Sequence, residues 1–211
     1  EPGRAGRTDR PPARPGGPAV TAATPVAARG GIRGIGDRLV GPGATTGEQA
    51  VTGAAVCAGV AVALGTALHA QAAWGWWQYA PAALVAADLF GGVAANATDA
   101  AKRWWHRPGR TARHHLGFVA AHVQPFALAW LLPGYDWTAA AVTYGLAFIA
   151  AVGIVAAPDR LRRPAAFAAG ATAVAIVVQL PGVGPELAWF GPVLLVKLLL
   201  AHLLPEGANR P

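Results

Sequence analysis

Asp88, His122 and Lys197 are ionisable side chains that stand inside otherwise apolar stretches of this sequence. A carboxylate, an imidazole and an ammonium can hold an ion pair away from water, bind a charged solute or pass a proton. Their burial needs a reason, because a charge at mid-membrane costs at least about 2.5 to 3.5 kcal/mol on insertion scales. Asp88, Gly92 and Asn96 recur at four-residue spacing, which puts them on one helical face, with Asp99 about one turn further on. A second group is rich in histidine. The segment from Asp99 to His122, DAAKRWWHRPGRTARHHLGFVAAH, carries His106, His114, His115 and His122, four of the six histidines. Imidazole is a common ligand of divalent metals and titrates nearest neutral pH, so these four form a candidate metal or proton-relay site.

The elements that must position these groups are apolar helices. Six stretches of about 17 to 24 residues match the roughly 20 that a helix needs to cross a bilayer. They are Gln49 to His69, Trp74 to Ala97, Leu116 to Leu132, Thr138 to Ala157, Pro164 to Leu180 and Leu187 to Leu204. Basic residues sort between the connections. Seven Arg precede the first stretch, and Lys102, Arg103, Arg107, Arg110 and Arg113 follow the second. Arg160, Arg162 and Arg163 follow the fourth, and Arg210 follows the sixth. The alternate loops carry only Asp136 and Glu186 as charges. Cytoplasmic loops retain Lys and Arg whereas short translocated loops lack them. The expectation is an all-α polytopic membrane protein of six transmembrane helices in a bundle, both termini cytoplasmic, in the plasma membrane. The excess of Arg over Lys and the abundant Ala suit a bacterial source. Trp74, Trp76, Trp77, Tyr79, Tyr135, Trp137 and Trp189 would mark the outer interface, and Trp104 and Trp105 the inner one.

At the helical rise, Asp88 lies about 13 Å, and Lys197 and His122 about 10 Å, from the cytoplasmic ends of their spans. The three therefore share one slab of membrane. Asp88 is expected to pair with Lys197, with His122 bordering the same cavity and Asn96 and the loop histidines opening it toward the cytoplasm. The alternative is that Lys197 snorkels to the interface while Asp88 serves as hydrogen-bonded packing glue. Small residues at four-residue spacing, Ala55, Gly59, Ala63 and Ala67 in the first span and Ala83, Ala87, Gly91 and Ala95 in the second, predict a close helical hairpin. Cys57, mid-helix and alone of its kind, reads as a small buried residue.

A net charge of +7 could suggest nucleic acid, but the charge follows membrane sidedness and no groove-binding motif accompanies it. Anionic lipid headgroups at the cytoplasmic face are the expected partner. With 54% hydrophobic and 13% charged residues, the chain departs from the roughly 25% charge of soluble domains. Residues 1–47 read as a disordered Arg/Pro/Gly-rich tail and 206–211 as a short second tail, around a helical domain over 48–205. The chain has no Met, so its start is expected upstream. It has no Ser, which excludes a serine nucleophile, and one Cys, which excludes an intrachain disulfide.

Known patterns match only in fragments. The His114, His115 doublet is similar to one element of the histidine boxes of membrane fatty-acid desaturases, but the other boxes are absent. DLFGGVAAN from Asp88 is similar to the start of the CDP-alcohol phosphotransferase motif D-x-x-D-G-x-x-A-R. Gly91 stands in place of the second acid and Asn96 in place of the Arg, so that metal site has too few ligands. Three function classes follow. A small permease would use Asp88, Asn96, Asp99, His122 and Lys197 as its binding site and would need no cofactor. A membrane-interface enzyme acting on a lipid or isoprenoid would hold a divalent metal on His106, His114, His115 and His122. A structural or accessory subunit, alone or as a homo-oligomer, would need neither set. The permease leads.

Overall fold

The structure, a computed structural model, describes residues 41–205 and is all-helical, with no β-strand among the described residues. The tails over 1–40 and 206–211, with most of the basic N-terminal segment, lie outside the described residues. In chain order the helices are α1 (Thr46–His69), α2 (Tyr79–Ala97), α3 (Asp99–Trp105), α4 (Ala112–Ala120) and α5 (Gln124–Leu131). They continue with α6 (Trp137–Ala156), α7 (Asp159–Val177) and α8 (Phe190–Leu195), which runs on into a π-helical segment, Val196–His202. Four stretches are long and apolar enough to cross a membrane: Thr46–His69, Trp76–Ala97, Trp137–Ala156 and Pro185–His202. Their outward faces carry large apolar side chains, among them Trp76, Leu84 and Ile149, each more than 70% exposed. A surface this apolar suits lipid rather than water.

Helix α1 begins with a reciprocal cap: Thr45 Oγ1 accepts from the Glu48 amide at 3.2 Å, and Glu48 Oε2 accepts from the Thr45 amide at 2.7 Å. The other carboxylate oxygen of Glu48 accepts from the Ala100 amide at 3.2 Å, tying the start of α1 to the start of α3. Helices α1 and α2 form the most extensive pairing in the molecule. Its closeness depends on glycine. A Cβ on Gly59 would lie 2.5 Å from Phe90, and one on Gly91 would lie 2.5 Å from Val56 Cγ2. Gly59, Ala63 and Ala67 of the first ladder are buried, whereas in α2 the buried face runs through Ala82 and Ala86 before reaching Gly91 and Ala95. Cys57, read from sequence as buried, is exposed on the outer face of α1.

The third apolar stretch is two helices rather than one. Helix α4 stops at Ala120 and α5 starts at Gln124. Pro125 has no N–H to donate to the carbonyl four residues back, so the ladder cannot pass through it. Two carbonyls at the break are satisfied by side chains: Phe118 O accepts from His122 Nδ1 at 2.7 Å, and Ala120 O accepts from Tyr144 Oη at 2.9 Å. Backbone groups freed inside an apolar stretch need such partners. The fifth stretch also differs. Helix α7 begins at Asp159, so Arg160, Arg162 and Arg163 occupy its first two turns and Ala157–Pro158 alone connect it to α6.

The last stretch is the centre of the molecule. Leu194, Leu195, Leu198, Leu199 and His202 are each at most 1% exposed, and α2, α6, α7 and α8 surround the π-helical segment. A helix apolar on every side belongs in such a place. The connections gather at two ends. At one, Asp136 N donates to Gly182 O, Gly184 N to Gly134 O, and the indole of Trp74 to Pro133 O. At the other, the basic 99–115 segment lies against residues 201–204 and Arg162.

Candidate functional site

Lys197 and Asp88 meet, 109 residues apart in sequence. Lys197 Nζ donates to Asp88 Oδ2 at 2.7 Å. Helix α2 presents the carboxylate, and the π-helical segment brings the lysine in from the core. The lysine stem lies along Gly92, where a Cβ would come within 2.4 Å of Lys197 Cε, so the four-residue face of α2 supplies both the acid and the gap that admits its partner. Burial is lopsided: the Lys197 side chain is 4% exposed and that of Asp88 48%. Gln124, the first residue of α5, completes the arrangement by donating from Nε2 to the same Asp88 oxygen at 3.1 Å. The break in the third stretch thus opens onto the ion pair. His122, at that break, lies close enough to feel the charges of both Lys197 and Asp88. Its Nδ1–H is held by Phe118 O, which leaves Nε2 with its lone pair.

Two polar atoms on this side of α2 are buried without a partner: Gln124 Oε1, beside the pair, and Asn96 Nδ2, about two turns further along the helix. Buried polar atoms in native proteins are nearly always satisfied, so one unpaired donor and one unpaired acceptor mark where a polar solute could be received. Asn96 lies about 12 Å along α2 from Asp88. Asp99 is the first residue of α3, beyond the Thr98 cap, and stands apart from the ion pair.

The histidines divide differently from the expectation. His106 and His115 stack at 4.6 Å between ring centroids, and His115 Nδ1 lies 3.3 Å from Nε2 of His202, a residue the reading of the sequence passed over. His114 turns away and accepts from the Thr111 amide at 3.1 Å, closing the cap of α4. His122 is reached only through the Phe118 ring, which contacts both His202 and His122. No group of three or more His, Cys, Asp or Glu side chains among the described residues is placed to hold a metal ion. His106, His114, His115 and His122 therefore do not converge: His114 and His115, about 100° apart around α4, part to the Thr111 cap and the His106 ring, and His122 lies beyond the end of that helix.

What this end of the molecule does structurally is cap the last helix. Lys102 donates to the carbonyls of Ala201 and Leu204, and His106 Nε2–H donates to His202 O at 3.0 Å. Lys102 and His106 are four residues apart on one face and satisfy the orphan acceptors at the end of the segment, where a cation is also favoured by the helix dipole. Burial, the neighbouring His115, and the Lys102 and Arg162 charges push the His106 imidazole down to about 4, and it stays neutral at neutral pH. His115 is lowered by burial and by His114, Arg110, Arg162 and Lys102.

Gln124, Tyr144 and His202 were the functional positions missed in the sequence. Each is a polar residue within an apolar stretch, the same signal that singled out Asp88. No protein-family profile, curated protein or solved structure matches this chain significantly.

Proposed function

We propose that the chain is a small permease-like protein with six membrane spans, both termini in the cytoplasm of a bacterial cell, and a polar binding site toward the inner leaflet. The observation that carries the reading is the Asp88–Lys197 pair inside apolar helices, opposite the break between α4 and α5. Intramembrane ionisable pairs beside discontinuous helices are the usual construction of solute and ion sites in transporters. The unpaired Asn96 and Gln124 atoms support a polar ligand, and the half-open side of Asp88 gives it a way in. Six crossings are supported by the gathering of the loops at two ends, one holding Asp136 and Glu186 and the other the basic segments. The crossings other than the four long apolar stretches are then the jointed α4–α5 and the Arg-led α7. For the metal-dependent alternative, no group of three or more candidate ligands lies together among the described residues, so the permease reading is preferred.

The reading is tested by reconstituting the full chain in liposomes. Flux of protons, alkali cations, halide and small polar solutes is followed by entrapped dyes and light scattering. At least one species is expected to move faster than in empty liposomes, and Asp88→Asn or Lys197→Gln to abolish that increment. Equal flux in the wild type and both variants, with folding intact, would sink the proposal.

A further inference from the structure

Behind the histidine caps lies a second polar cavity, of about 280 Å³, at the basic end of the molecule. It is several times the roughly 30 Å³ that one water occupies in the liquid. Arg110, Arg162, His106, His115 and Thr111 line it, with Val155 and Leu203 as apolar floor. No carboxylate is among the lining residues. Asp159 holds Arg162 Nη2 at 2.8 Å but is itself 91% exposed, so its charge faces solvent. Arg162 Nε is buried and has no hydrogen-bond partner. The first turn of α4 forms one wall through Thr111 and Ala112, and a helix begins there with its amide end, which carries partial positive charge.

Two guanidinium groups, two imidazoles and a helix start around one hollow make an environment that lacks an anion. Guanidinium is suited to phosphate because its planar fork matches two phosphate oxygens. Both histidines feel the arginine charges, so the hollow is electropositive even with the imidazoles neutral. We infer that this cavity is a phosphate-binding site, in which Arg110 and Arg162 grip a phosphate group and His106 and His115 form its back wall. The phosphate would belong either to a lipid headgroup reaching in from the inner leaflet or to a free phosphate ion. The inference is independent of the transport reading, since none of the lining residues touches Asp88 or Lys197.

The test is calorimetric titration of detergent-purified full-length protein, once with inorganic phosphate and once with a short-chain phosphatidate. Arg110→Gln/Arg162→Gln is compared with Arg103→Gln/Arg160→Gln, which removes the same charge from exposed positions outside the cavity. Saturable binding is expected in the wild type and the exposed-charge control. The cavity variant should bind at least about tenfold more weakly, the equivalent of one lost charge-assisted hydrogen bond. Binding of phosphatidate alone identifies a headgroup site, and comparable binding of inorganic phosphate identifies a free-ion site. Either supports the cavity. If the double variant is misfolded by circular dichroism, Arg110→Gln alone carries the test, because among the described residues that side chain lines the cavity and overlies Trp105 at 5.7 Å without an ion pair. No saturation with either ligand, or equal weakening by the exposed-charge control, would overturn the inference.

Discussion

Removing the acid and removing the base of the Asp88–Lys197 pair should have unequal costs. Asp88→Asn strands an ammonium that is 3% exposed and, among the described residues, has no other carboxylate beside it. The ceiling on that penalty is the work of taking the proton off. For an ordinary lysine near 10.4 at pH 7 that is about 3.4 units at 1.36 kcal/mol each, or about 4.6 kcal/mol. Broken buried pairs cost about 3 to 5 kcal/mol, in the same range. Lys197→Met instead keeps the stem along Gly92 and leaves a carboxylate whose side chain is half exposed and still bonded to Gln124. Its cost should be about 1 kcal/mol, near the value of an exposed pair. The double variant should resemble Lys197→Met, because the harm in Asp88→Asn is the stranded charge and that charge is gone. The interaction energy from the cycle then equals the cost of Asp88→Asn, about 3 to 5 kcal/mol. The assay is unfolding of purified full-length protein by SDS in mixed micelles, followed by far-UV circular dichroism. Equal costs for the two single variants, or a double variant equal to their sum, would refute the reasoning.

Two further predictions concern the same regions. Gly92→Ala places a methyl within 2.4 Å of Lys197 Cε and 2.9 Å of Nζ, so the flexible lysine end must move and the 2.7 Å contact with Asp88 must lengthen. Stretching it to about 4 Å loses about 2 kcal/mol of attraction at an effective dielectric near 20. Gly92→Ala should therefore destabilise the wild type more than Lys197→Met, whose flexible end can swing aside without stretching an ion pair, and equal effects in both backgrounds would contradict the placement. The second concerns pH. His106 is held at about 4 when folded against 6.5 when unfolded, so the unfolded chain binds the extra proton between those values. Stability is thus fully present above about 6.5 and falls as the pH drops toward about 4, and His115 adds to the same direction. Thermal unfolding in detergent should show this decline in the wild type and a shallower one in His106→Gln. A midpoint that stays flat through the window would count against a buried neutral histidine.

The sequence by itself determined that the chain is helical and apolar, where its charges lie, and that Asp88, Gly92 and Asn96 share a face. These follow from local rules: helical period, the length needed to span a bilayer, and the cost of burying charge. It also marked Lys197 as a residue needing a partner. Tertiary structure decided the rest. The break at residues 121–123 follows from Pro125, which was visible, and His122 satisfies the Phe118 carbonyl locally, but the Ala120 carbonyl depends on Tyr144, which only packing brings near. Lys197 meets Asp88 across 109 residues because the last segment is the core of the molecule, and no periodicity in a helix apolar all round reveals which neighbour it faces. The histidines parted for the same reason. A spacing in sequence fixes positions along one helix, whereas a ligand set or a cap is fixed by how separate helices meet.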